Sequence, residues 1–109
     1  MEQDITNIDF SKGNGIVPVI VQDANTKEVL TLAYSNKESL ERTLSTGNSW
    51  FWSRSRKKLW MKGEESGNTQ KVREVLVDCD SDALIYLVEP AGPACHTGER
   101  TCFRNSLKS

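Results

Sequence analysis

The residues that first suggest chemistry are the three cysteines of the chain, Cys79, Cys95 and Cys102. Three thiolates can bind zinc and leave one coordination position open, as in catalytic rather than structural zinc sites. The spacing, with 15 and then 6 intervening residues, matches no paired zinc-finger pattern. A single cysteine is more often a small buried hydrophobe. Because Cys95 follows a Pro-Ala-Gly-Pro loop and Cys79 lies among acidic residues, we favour a zinc site for the set.

A second cluster consists of three aspartates that alternate along the chain, Asp78, Asp80 and Asp82. In an extended segment this period of two places all three carboxylates on one side and Cys79 on the other. Three hard oxygen ligands suit Mg²⁺, whereas a thiolate suits zinc. The simpler interpretation is an acidic turn before the next strand. Three repelling carboxylates in register are more easily explained by a bound cation.

A basic stretch, Ser-Arg-Ser-Arg at 53–56, indicates phosphate binding. If this stretch is extended, Arg54 and Arg56 share one face, and their guanidinium groups can hold phosphate in a bidentate manner. The flanking tryptophans can either stack on a nucleobase or pack in the core. We favour the core for all of them, Trp50, Trp52 and Trp60.

His96 is the only histidine of the chain and is adjacent to Cys95. Adjacent residues in a loop seldom coordinate the same ion, so we interpret His96 as a neighbour of the zinc site. A lone surface histidine usually has no function. Beside a zinc site, however, a side chain that titrates near neutral pH is a candidate for general acid/base chemistry. The polar residues 64–68 either contact a ligand or form a plain turn.

Strands must position most of these residues. Segments 17–21 and 28–34 predict a hairpin with a turn at 23–26. Pro18 indicates that the first strand lies at a sheet edge, or that Pro18 is near the start of the strand. Further predicted strands follow at 50–52, 59–61, 72–77 and, fully buried, 83–88.

A helix is predicted after the second strand. Ser35 followed by Glu38 has the form of a capping box, with Ser35 as the N-cap. Leu40 and Leu44 share one face of this helix, and Gly47 ends it. The whole pattern has no internal repeat and predicts an α+β fold, a single domain of mostly antiparallel strands with one or two helices.

Composition limits the class of protein. The chain has 109 residues, 14 basic and 15 acidic, and 37% of its residues are hydrophobic, which is typical of one globular domain. Its longest apolar run, 83–88, is too short to cross a membrane, and its first residues do not resemble a secretion signal. The balanced charge argues against a nucleic-acid partner. We therefore predict a cytoplasmic protein with reduced thiols, whose residues 1–15 and 104–109 are peripheral.

The ordered set of motifs between about 17 and 103 resembles the phosphoribosyl-AMP cyclohydrolase family of histidine biosynthesis. The motifs are Ser-Arg-Ser-Arg at 53–56, Leu-Trp at 59–60, Lys-Gly-Glu at 62–64, Ser-Gly-Asn at 66–68, Asp-Cys-Asp-Ser-Asp at 78–82, Cys-His-Thr-Gly at 95–98 and Cys-Phe at 102–103. Where Ser35 stands, Met is more usual in the family. Some relatives carry a fused pyrophosphohydrolase domain, whereas this sequence resembles the monofunctional form.

The resemblance implies an intertwined homodimer with Zn²⁺ shared between subunits. Cys79 of one subunit would meet Cys95 and Cys102 of the other. It also implies Mg²⁺ at Asp78, Asp80 and Asp82, and a nucleotide substrate whose two phosphates explain Arg54 and Arg56. Weaker substrate-binding candidates are Lys62, Ser66 and Asn68.

The implied reaction is hydrolysis of the C6–N1 bond of the adenine ring in N1-(5-phosphoribosyl)-AMP. Our hypothesis is that zinc lowers the pKa of a water that attacks C6, that His96 moves the proton and that Mg²⁺ orients a phosphate. The H-x-E and P-C-x-x-C motifs of zinc deaminases are absent. Two alternatives remain open at this point: a zinc-stabilised nucleic-acid-binding module and a structural metal-bridged dimer.

Overall fold

The computed structural model describes residues 4–108 and contains, within that range, six strands and one α-helix. All the predicted strands and the predicted helix are confirmed, and the fold is α+β. The elements are β1 (Val17–Asp23), β2 (Val29–Ser35), α1 (Lys37–Thr46), β3 (Trp50–Ser53), β4 (Lys58–Met61), β5 (Gln70–Val77) and β6 (Leu84–Pro90).

Four of the strands form one sheet in the order β2-β1-β6-β5, and β3 and β4 form a separate hairpin. β1 pairs antiparallel with β2 but parallel with β6, so it is an interior strand and the edge position suggested by Pro18 is wrong. The alternative, that Pro18 marks the strand start, is confirmed. Pairing with β6 begins only at Val19, so the missing N–H of Pro18 interrupts no bond of that ladder.

The core lies between the four-stranded sheet and the layer formed by α1 and the β3–β4 hairpin. Along β1 the alternate residues Val17, Val19 and Val21 are at most 1% exposed, as the period of two predicts. Phe51 of β3 stacks on Tyr86 of β6 with ring centroids 5.7 Å apart. This aromatic pair joins the hairpin to the sheet.

The helix begins one residue later than predicted. Asn36, not Ser35, is the N-cap: its side chain accepts a hydrogen bond from the backbone N–H of Ser39 at 2.8 Å. The Ser39 hydroxyl accepts in return from the N–H of Asn36 at 2.9 Å, so Ser39 takes the place proposed for Glu38 in the capping box. Ser35 is unavailable as a cap because it is the last residue of β2, paired with Val17.

The helix ends at Gly47, as predicted, with φ of +78°. Its buried face differs from the prediction. Leu40 is 2% exposed, but Leu44 is 56% exposed, because the buried face extends from Leu40 toward Ser39 and Thr43, and Leu44 lies on the other side of Leu40. The buried stripe is completed by Ser39 and Thr43 instead.

The amino-terminal segment was predicted to be peripheral together with 104–109; residues 1–3 and 109 lie outside the described part. Ile8 is instead buried, and Ile5 and Phe10 pack against the core. Residues 104–108 are exposed. Within 4–108, none of the helices has the length and apolar character that a membrane crossing requires.

Candidate active site

The three aspartates lie in the turn between β5 and β6. The segment 78–82 is the acidic turn of the simpler interpretation and is not extended: Ser81 has φ of +61°, and its N–H donates to the carbonyl of Asp78 at 3.2 Å. The carboxylate of Asp78 accepts from the N–H of Asp82 at 2.9 Å. The segment turns because β5 and β6 are antiparallel neighbours. The carboxylates of Asp78, Asp80 and Asp82 nevertheless converge, with oxygens within 4.8 Å of one another.

A lysine already neutralises part of this cluster. The ammonium group of Lys12, in a 3₁₀ turn before β1, lies 3.3 Å from Asp80 and 3.2 Å from Asp82. These hydrogen bonds, that to Asp82 first, raise the pKa of Lys12. The hydrogen bond from Lys12 lowers the pKa of Asp82. The neighbouring carboxylate of Asp80 and partial burial raise it by more, so the pKa of Asp82 lies above its ordinary value. The crowded carboxylates therefore attract a cation, as a metal site would. Lys12 was not predicted, since nothing local connects it to residues about 70 positions away.

The three cysteines do not converge within one chain. Cys79 is exposed in the β5–β6 turn, whereas Cys95 and Cys102 lie in the segment after β6. Among residues 4–108, the only cluster of three or more potential metal-binding side chains is the aspartate one. Within the described residues, the three thiolates therefore form no common site in a single chain.

Cys95 and Cys102 are close to each other. The hydroxyl of Thr97 lies 3.1 Å from the sulfur of Cys95. Hydrogen bonds from this hydroxyl and then from the Thr97 backbone lower the pKa of Cys95, and Cys102 contributes in the same direction. A lowered pKa favours the thiolate, which is the form that binds metals.

Four of the predicted residues line one cleft of about 460 Å³: Arg56, Lys62, Ser66 and His96. The β3–β4 hairpin and the loop after β4 supply the first three, and the loop after β6 supplies His96. Trp60 forms part of the wall and also packs on Phe51, with ring centroids 5.0 Å apart. The cleft thus combines two cations, an imidazole and several hydroxyls with two carboxylates, those of Glu64 and Glu65.

Arg54 does not line this cleft. Ser53 pairs with Lys58 across the hairpin, so residues 54–57 reverse the chain, and the extended geometry that would place Arg54 and Arg56 on one face is not present. The guanidinium of Arg54 lies 3.8 Å from the ring centroid of Tyr34, in an adjoining depression. Trp60 lines both the depression and the cleft, and therefore lies between the two arginines' positions.

Asn68, a predicted substrate-binding residue, does not line the cleft. A Cβ atom on Gly92 would lie 2.3 Å from the Asn68 side-chain oxygen, so Asn68 packs tightly against that glycine. Gly63, with φ of +83°, approaches the Asn68 backbone equally closely. Asn68 therefore joins the loop after β4 to the loop after β6.

Comparison with known proteins identifies the family. The phosphoribosyl-AMP cyclohydrolase family profile matches residues 31–104. Two proteins named phosphoribosyl-AMP cyclohydrolase, from Nitrosopumilus maritimus and Cenarchaeum symbiosum, are 75% and 77% identical, covering 99% and 98% of this chain and 100% and 99% of their own. A histidine biosynthesis bifunctional protein HisIE from Thermus thermophilus is 62% identical, covering 95% of this chain and 48% of its own.

The chain therefore belongs to the phosphoribosyl-AMP cyclohydrolase family and is an enzyme. This result decides against the nucleic-acid-binding module and the purely structural dimer. All the predicted site residues fall within the matched segment, whereas Lys12 precedes it.

Proposed function

We propose that this enzyme is a zinc- and magnesium-dependent hydrolase that acts in histidine biosynthesis. It opens the adenine ring of N1-(5-phosphoribosyl)-AMP at the C6–N1 bond and yields phosphoribosylformimino-aminoimidazole carboxamide ribotide. The observation that carries the proposal is the convergence of Arg56, Lys62, Ser66 and His96 on one cleft, in a chain of this family.

Substrate binding follows from the two phosphates of the nucleotide. Arg56 and Lys62 provide positive charge in the cleft, whose wall also carries Glu64 and Glu65, and Ser66 provides a hydroxyl donor. Arg54 provides a further guanidinium in the adjoining depression, where stacking on Tyr34 limits its rotamers. One phosphate is therefore assigned to the cleft and the other to Arg54.

Zinc is assigned to Cys95 and Cys102 of one subunit and Cys79 of the other. The closeness of Cys95 to Cys102, the lowered pKa of Cys95 and the exposure of Cys79 on a separate turn fit this assignment. When bound there, zinc supplies a water of lowered pKa at its open coordination position.

Magnesium is assigned to the cluster of Asp78, Asp80 and Asp82. Carboxylate oxygens within 4.8 Å of one another are the ligand type that Mg²⁺ prefers, and the contact with Lys12 supports an affinity for cations. The cation there offsets phosphate charge.

His96 is assigned the proton transfers. As neutral imidazole it accepts a proton from the water that attacks C6. The imidazolium returns a proton to N1 as the C6–N1 bond breaks and its electron pair moves to N1, while the hydroxyl on C6 releases its remaining proton to solvent and becomes the carbonyl. The 6-amino group stays on the carbon as the amide of the product, so the reaction is ring opening and not deamination.

The test is turnover of N1-(5-phosphoribosyl)-AMP, followed by near-ultraviolet absorbance before and after removal of metals. We expect hydrolysis to disappear on removal and to return only when zinc and Mg²⁺ are both restored. Adding each metal alone is the control. No turnover by folded, metal-replete protein would overturn the proposal.

A further inference from the structure

We propose that Arg100 acts, together with Asp23 and Glu28, as an electrostatic clamp that positions Cys95 and Cys102. We call these three residues the Arg100 clamp. The inference deepens the zinc assignment in the proposed function and rests on it, but it concerns residues that no motif singled out.

The fixed part of the clamp is Asp23, the last residue of β1, which is only 3% exposed. One carboxylate oxygen accepts the backbone N–H groups of Asn25 at 2.8 Å and Thr26 at 3.1 Å. The other oxygen accepts from Arg100 at 2.7 Å. The turn after β1 therefore holds a buried negative charge, and Arg100 is the cation that pairs with it.

Arg100 is oriented by two further acceptors. Its Nε donates to the carboxylate of Glu28, and the nitrogen that reaches Asp23 also lies 3.3 Å from the hydroxyl of Thr26. A planar guanidinium held by acceptors on three residues has one preferred orientation, which a lysine ammonium would not reproduce.

Backbone hydrogen bonds connect the region of Arg100 to both cysteines. The carbonyl of Arg100 accepts the N–H of Ala94 at 3.2 Å, and the N–H of Cys95 donates to the carbonyl of Glu99 at 3.1 Å. Two residues after Arg100, the N–H of Cys102 donates to the carbonyl of Leu30 at 2.7 Å. Arg100 thus lies where the segment that carries Cys95 and Cys102 meets the β1–β2 hairpin.

Arg104 also forms an ion pair, but its partner is Glu99 in the same segment, so this pair does not reach the hairpin. The ion pairs that connect this segment to the β1–β2 hairpin are therefore those of Arg100. Metal affinity depends on how well the ligand sulfurs are held before binding, and loss of outer positioning groups typically lowers it about 10–100-fold.

The first arm of the test measures Co²⁺ affinity by the thiolate-to-metal charge-transfer band. We expect Arg100→Met to bind Co²⁺ about 10-fold or more weakly than the wild type. The Co²⁺ affinity of Arg100→Lys should be intermediate, because lysine keeps the positive charge but lacks the planar guanidinium that donates to several acceptors at once. The matched control is Arg42→Met, which removes an equally exposed arginine from an ion pair with Glu38 on α1 and should leave affinity unchanged.

The second arm uses metal-free protein in a Cys79→Ser background and measures binding of phenylarsine oxide, which bridges two nearby thiols. We expect Arg100→Met to weaken this binding. Unchanged affinity for both probes would overturn the clamp. A wild type without the Co²⁺ band but with arsenical binding that depends on Arg100 would overturn the zinc assignment and support the clamp.

Circular dichroism establishes whether Arg100→Met is folded. If it is not, Arg100→Lys and Glu28→Gln decide the question, because Glu28 is a more exposed partner than Asp23. Weaker binding of both probes by these two variants supports the clamp, and unchanged binding by both overturns it.

Discussion

The ammonium group of Lys12 lies 3.2 Å from the carboxylate of Asp82, which is 70 residues further along the chain. Asp80, at 3.3 Å, shares the same ammonium group. A positive side chain therefore occupies part of the cluster that we assign to Mg²⁺. Because both are cations, Lys12 and the metal compete for the same carboxylates, and the segment before β1 influences the affinity of the site.

The first prediction follows from this competition. Lys12→Met should raise the affinity for Mg²⁺ about two- to five-fold, the range expected when an exposed ion pair is removed. Titration calorimetry with Mg²⁺ checks this, and Lys37→Met, which removes an exposed lysine from α1, is the control. Weaker binding by Lys12→Met would mean that Lys12 supports the site.

Subunit mixing tests the shared zinc site. Cys79→Ser and Cys95→Ser should each be inactive, but an equal mixture should recover about a quarter of the wild-type activity, since half of the dimers are mixed and each has one intact site of two. The measurement is turnover after subunit exchange. Mixing two preparations of Cys79→Ser is the control. If mixing restores nothing, the cysteines do not act across subunits.

Asp23 should make stability depend on pH. Hydrogen bonds from the backbone N–H of Thr26, then from Asn25, and the charge of Arg100 lower its pKa below the ordinary value. In the unfolded chain this carboxyl has a pKa of about 3.9. Its contribution is therefore complete above that pH and is lost as the pH falls through the lower folded value.

In metal-free protein, Asp23→Asn should lower the free energy of unfolding by about 2 kcal/mol at pH 7, because a buried charged hydrogen bond is lost. The difference from the wild type should shrink as the pH falls below 4. Urea unfolding across this range checks it, with Glu38→Gln, from an exposed ion pair, as the control. A difference that is constant with pH would contradict the argument.

His96→Ala should lower kcat about 10²–10⁴-fold, the usual contribution of a general acid or base. The variant should retain its zinc, because His96 is not assigned as a ligand. Turnover and metal content are measured on the same sample. Near-normal turnover with zinc intact would remove His96 from the mechanism.

The stacking of Arg54 on Tyr34 should affect substrate binding more than chemistry. Tyr34→Leu removes the aromatic face and should raise KM about two- to five-fold, since an exposed cation–π contact contributes about 0.5–1 kcal/mol. Tyr34→Phe keeps that face and should resemble the wild type. An equal rise in KM for both variants would assign the effect to the hydroxyl.

Local pattern was sufficient for most of the secondary structure. The alternation of Val17, Val19 and Val21 and the glycine after α1 identify a strand and a helix end without any knowledge of the fold. The N-cap was misplaced by one residue because Ser35 is held in the β1–β2 ladder, a tertiary constraint. Parallel pairing of β1 with β6 also has no local signal.

For the candidate site, residue types were more predictable than conformation. A period-two polar pattern is compatible with both strands and turns, so the pattern alone could not show that 54–57 and 78–82 are turns. The Arg56–His96 cleft and the Asp23–Arg100 pair depend on contacts between distant residues, and such contacts are set by the fold and not by spacing.

The parallel pairing of β1 with β6 also has a consequence for how the chain folds. The β1–β2 and β5–β6 hairpins are local and can form independently, but joining them brings Val19 beside Leu84 and closes a long loop. Such non-local closure slows folding. We therefore expect the docking of the two hairpins to limit the folding rate, and the thiol-bearing segment after β6 to acquire its place only once docking is complete.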